Sequence, residues 1–189
     1  MRTLSVPYII ICVTALASPA IAATPATAFK AAKSDQALIA SAMSAAPISI
    51  SKDATVVAMD AKGAMRTLRK GTNGWTCMPD VPSSPGDDPM CADPNAWEWS
   101  AAWMAHKPPS NKVGFIYMLK GGSDASNMDP YATSPVKGSH WVTTGPHVMV
   151  VGPGVKNMPG YSGGANPDTA KPYVMFGGTP YEHLMNPLK

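Results

Sequence analysis

The sequence predicts a single α+β domain built on a mainly antiparallel sheet. Short β-favouring runs recur between glycine- and asparagine-bearing turns, three segments carry helical spacing or caps, and no internal repeat or second composition regime divides the 189 residues. With 45% hydrophobic residues the chain can bury a core, while 20 prolines and 16 glycines promise many loops and count against a long-helix bundle. Only 14% of the residues are charged, and the formal net charge of +3 is scattered. No basic run supplies the electrostatic footprint of a nucleic-acid binder.

At the N-terminus, Met1-Arg2 precedes a mostly apolar stretch from Leu4 to Leu16 and then Ala20-Ile21-Ala22, the charged, apolar and small-residue order of a secretory signal peptide. Residues 1–22 are therefore expected to be removed, with 23–27 as a short tether and 28–189 as the domain. The apolar stretch is shorter than the roughly 20 residues a membrane span needs. No later run approaches that length, so no transmembrane segment is expected after signal removal. The expected location is outside the cytoplasm, periplasmic or secreted. Cys12 leaves with the signal, and Cys77 and Cys91 remain as a pair in an oxidising compartment, which predicts a disulfide. That bridge would tie down residues 78–90, which hold four prolines and little apolar content.

Phe29, Ala32, Gln36, Ile39 and Met43 recur at helical spacing and predict an N-terminal helix of about 17 residues ending before Pro47. Ile48 to Ile50, Thr55 to Met59, Ala64 to Arg69 and Trp75 to Cys77 read as strands joined by hairpin turns, with Asn73-Gly74 as the clearest turn signal. Asp93 then caps a helix that has Pro94 in its first turn and runs to Ala105. Trp97, Trp99 and Trp103 make this Trp-rich middle helix apolar nearly all round, so burial between two layers is expected. An aromatic platform for a ligand is the alternative. Val113 to Leu119 is apolar on both faces, as a central strand would be. His140 to Thr143, His147 to Val151 and Tyr173 to Phe176 add short strands, and the capping-box pattern Thr179-Pro180-Tyr181-Glu182 predicts a short C-terminal helix.

Residues 121–131 leave the expected central strand in a glycine-led loop carrying Ser123, Asp124, Ser126, Asn127 and Asp129. Together with His140, His147 and His183 they form the candidate surface for an unknown small ligand or an envelope-protein partner. A hydrolase is the alternative, with Ser123 or Ser126 as nucleophile and a histidine as base, although no G-x-S-x-G elbow is present. Asp124, Ser126 and Asp129 also offer hard oxygens to calcium at a spacing that departs from the EF-hand loop. A self-bonded turn needs no ligand at all. The third functional reading is periplasmic copper binding, because His147-Val148-Met149 and His183-Leu184-Met185 join imidazole to thioether. His147 and Met149 share a face on a strand, whereas His183 and Met185 would diverge on a helix. No phosphate-binding fingerprint is present, so nucleotide cofactors are unsupported.

The segments Gly74 to Pro79, Glu98-Trp99 with Ala102-Trp103-Met104, Gly121 to Asn127, Gly145 to Met149 and Pro180 to Met185 together resemble a set of uncharacterised exported bacterial proteins. The resemblance spans most of the mature chain and implies one exported domain. It brings no activity, cofactor or site residue with it.

Overall fold

Alternation of buried and outward residues in short runs builds one eight-stranded sheet in the computed structural model, which describes residues 34–156, 158 and 160–188. The expected signal peptide, the tether and residues 28–33 lie outside the described residues. The strands are β1 (Thr55–Met59), β2 (Met65–Arg69), β3 (Thr76–Met78), β4 (Met90–Ala92), β5 (Gly114–Met118), β6 (Gly122–Asp124), β7 (Val142–Thr144), β8 (His147–Val151), β9 (Tyr173–Met175) and β10 (His183–Pro187). The main sheet runs β2-β1-β3-β4-β5-β8-β10-β9, antiparallel except for the β1–β3 pair, and β6-β7 form a separate antiparallel ribbon. The fold is α+β, and Cys77 is bonded to Cys91 as the sequence predicts. None of the described helices is long and apolar enough to cross a membrane.

Two helices cover opposite faces of this sheet. Helix α1 (Asp35–Met43) starts at Ser34, whose hydroxyl accepts from the Ala37 N–H at 3.2 Å. The alanines Ala42, Ala45 and Ala46 pack there with Val56, Cys77 and Cys91, small enough to bring helix and sheet close. On the other face lies α3 (Pro94–Met104), capped by Asp93, whose carboxylate accepts from the Ala96 N–H at 2.8 Å. Ala96 and Trp99 join Ala92, Ile116, Met149, Met175 and Met185 in the larger core cluster. In the register, Cys91 pairs with Tyr117 and Ala92 with Ile116, so successive residues feed the two faces in turn.

Several elements differ from expectation. Residues 48–50 are not a strand but open a short helix, α2 (Ile48–Ser51), because Pro47 sets a helical entry and its carbonyl accepts from Ile50 and Ser51 at 2.9 Å. Asn73-Gly74 does not close a hairpin between β2 and β3. Instead Thr72 donates to Asp53 O at 2.8 Å and the Asn73 amide to Ile50 O at 2.8 Å, carrying the chain past β1 to its far side. Residues 90–92, expected to end a loop, pair with β3, with Cys77 directly opposite Cys91. The loop at 122–124 is a strand, and α3 is buried on one side only, with Trp97 and Trp103 half-buried and Met104 40% exposed.

The expected C-terminal helix is strand β10. Local hydrogen bonds spend the capping pattern on a turn: Thr179 Oγ1 accepts from Tyr181 N at 3.1 Å, and Glu182 takes the Gly178 N–H at 2.7 Å. The chain then enters the gap between β8 and β9, where both edges of β10 find partners.

Candidate ligand-binding cleft

Period-two alternation on four adjacent strands sets thioethers and imidazoles side by side on the α3 face of the sheet. Met118 pairs with His147 across β5–β8, Met149 with Met185 across β8–β10, and His183 with Met175 across β10–β9. Because β10 is a strand, His183 and Met185 share a face after all.

Helix α3 roofs one part of this face, and β6 with the residues after it roofs another. Gly122 permits the second approach: a Cβ there would lie 3.1 Å from Met118 Cε and 3.4 Å from His147 Cε1. The two roofs are fastened together at one end. Trp103 Nε1 donates to Pro130 O at 3.1 Å, and the Tyr131 and Tyr181 hydroxyls donate to the Trp103 and Lys107 carbonyls at 3.3 and 3.1 Å.

Between sheet and roofs lies a cleft of about 380 Å³. Four of the five tryptophans, Trp97, Trp99, Trp103 and Trp141, line it, along with Phe176 and methionines of the sheet face. Among the described residues, its charged lining groups are Asp88, Asp124 and Asp129, with no lysine or arginine. Burial and the neighbouring Asp88 carboxylate push Asp124 up to about 7. Burial raises Asp88 as well, against the opposing hydrogen bond from the Ser84 hydroxyl. Trp99 is 3% exposed and its indole N–H has no partner among the described residues.

His183 has a fixed tautomer. Its Nδ1 lies 2.9 Å from the Tyr181 carbonyl, which can only accept, so Nδ1 carries the proton and Nε2 presents a lone pair. That Nε2 is buried without a partner among the described residues. Trp99 and Phe176 pack against the ring in T-shaped pairs, each with centroids 5.3 Å away, and burial pulls its pKa down to about 4. His147 repeats the device against Gly145 O at 2.8 Å, and burial lowers its pKa too.

Of the residues singled out in the sequence, Ser123, Asp124, Ser126, Asp129 and His183 line the cleft, as do Met149 and Met185 of the copper set. His147 and Asn127 are buried outside its lining, and His140 is exposed away from it. Asn127 is a tether: its side-chain amide donates to Gly164 O at 2.8 Å and Val174 O at 3.0 Å, and its backbone carbonyl accepts from Phe176 N at 2.8 Å. Ser126 Oγ accepts from Met128 N and Asp129 N at 3.0 Å, and Asp129 accepts from Tyr131 N at 2.9 Å, as in a self-bonded turn. No hydrogen bond joins Ser123 or Ser126 to a histidine among the described residues, nor do three or more His, Cys, Asp or Glu there group as metal ligands. Sequence reasoning missed Asp88, Ser84, Trp141, Phe176 and Met175. The tryptophan density of α3 was the visible signal for the cleft.

No known family profile, curated protein or solved structure matches the chain.

Proposed function

We propose that this chain acts outside the cytoplasm as a binding domain for a small organic cation with an apolar body, held in the tryptophan-lined cleft. One observation carries the reading: the wall combines aromatic faces with the Asp88 and Asp124 carboxylates and, among the described residues, contains no lysine or arginine. Aromatic faces attract cations through the ring quadrupole. A carboxylate inside a protein is costly without a positive partner, and an ammonium group would supply one. The volume of about 380 Å³ is within the usual range for small-molecule sites. The signal-like N-terminus and the Cys77–Cys91 bridge support export.

A thermal-shift series tests the reading with the oxidised protein and three probes of similar shape: phenethylamine, phenethyl alcohol and phenylacetate. The amine is expected to raise the melting temperature most and the carboxylate least. Equal shifts, or a preference for phenylacetate, would overturn the cation reading. Silence from all three, with a wider panel of amines equally silent, would overturn the cleft as a binding site.

A further inference from the structure

A second chemistry on the floor of the cleft is independent of the carboxylate wall. His183 is 1% exposed, its Nδ1 proton is committed to Tyr181 O, and the Nε2 lone pair has no hydrogen-bond donor among the described residues. A buried acceptor left in this state forfeits its hydration and gains nothing in return. Three methionines neighbour it in the strand register. Met175 is directly opposite on β9, Met185 is two residues along on the same face, and Met149 is opposite Met185 on β8. Directly opposed side chains start about 5 Å apart at Cβ, and methionine's three rotatable bonds can close such a gap. All four residues line the one cleft, whereas His147 pairs with Met118 at the other end of the face and lies outside the lining.

The geometry points to a soft monovalent metal site for Cu(I), formed by His183 Nε2 and the thioethers of Met149, Met175 and Met185. The donor set selects the ion. Thioether sulfur is a soft ligand that favours Cu(I), imidazole suits copper, and the carbonyl-anchored Nδ1–H is the outer partner that orients a ligating histidine. The four ligands are neutral, so a monovalent ion brings less charge into the apolar floor than a divalent one would. Zinc and calcium prefer the thiolate and oxygen ligands this floor lacks. The site goes beyond the organic-cation reading and stands or falls separately from it, because copper itself is what is measured.

The test is anaerobic titration of the oxidised chain with Cu(I) against bicinchoninate as competing chelator, followed by X-ray absorption of the loaded protein. Expected are one Cu(I) per chain, nitrogen and sulfur scatterers around the metal, and affinity weakened by about 100-fold in His183→Ala. Met185→Leu keeps the core volume while deleting a sulfur, and is expected to weaken binding by about 10-fold with the fold intact. Met59→Leu, at an exposed strand end, should bind as the natural chain does. The proposal is overturned if the natural chain yields its copper to bicinchoninate, if Met185→Leu holds it equally tightly, or if absorption shows only nitrogen and oxygen neighbours.

Discussion

A Cβ added at Gly114 would lie 2.3 Å from the backbone nitrogen of Ala96 and 2.8 Å from its Cα. At this point the tryptophan helix rests on the central strand with nothing but a glycine hydrogen between. The obstructing atoms are backbone, which no rotamer change can move. Gly114→Ala is therefore expected to lift the N-terminal turn of α3, destabilise the fold by about 1–3 kcal/mol and disturb the cleft roof. Chemical denaturation with intrinsic tryptophan fluorescence measures both. An unchanged midpoint and spectrum would contradict the contact.

The disulfide should matter to the cleft as well as to stability. Cys77 and Cys91 are opposite each other on β3 and β4, and the loop they close delivers Ser84 and Asp88 to the wall. Replacing both with serine is expected to cost about 3 kcal/mol by releasing the unfolded chain. Amine binding should weaken as the Asp88 segment loosens. Urea unfolding of the Cys77→Ser/Cys91→Ser chain is the check, and a midpoint equal to that of the oxidised protein would count against it.

Asn127 lends the loop its shape by bonding across to Gly164 and Val174. Asn127→Ala leaves two carbonyls without their donor, for an expected loss of about 1–3 kcal/mol. Hydrogen exchange should rise at the Phe176 amide, because the side-chain tether holds in place the Asn127 backbone carbonyl to which that amide donates. Retained protection there would show that the tether is dispensable.

Stability should respond to pH through two opposed groups. Asp124 is near 7 when folded and near 3.8 otherwise, so its contribution is fully present below about pH 3.8 and is lost as pH rises through about 7. His183 moves the other way, from 6.5 to about 4. Its contribution is present above pH 6.5 and is lost as pH falls toward about 4. In the natural chain the two partly cancel between these limits. Asp124→Asn removes the first, so its melting temperature should drop more steeply from pH 7 to pH 5 and exceed the natural chain's at pH 8. Parallel profiles would contradict the burial of Asp124.

What could be read in the sequence was what neighbouring residues decide. Asp93-Pro94 fixes the start of α3, and the His147 to Val151 run becomes β8 with the expected ends. The aromatic crowding of α3 hinted at a platform. By contrast, β10 exists because β8 and β9 offer free edges, and its own capping pattern pointed to a helix. The two His-x-Met elements were visible, but their proximity depends on pairing between strands more than thirty residues apart in the chain. Asp88 looked like loop material between prolines until the β3–β4 pairing turned it towards Asp124.

The most direct test of the cleft is calorimetric titration of the natural chain and of Asp124→Asn with phenethylamine and phenethyl alcohol at pH 8. The natural chain should bind the amine about tenfold or more tighter than the alcohol, and Asp124→Asn should lose most of that preference while still binding the alcohol. Equal affinities for amine and alcohol in the natural chain, or an undiminished amine preference in Asp124→Asn, would contradict a carboxylate-walled site for cations.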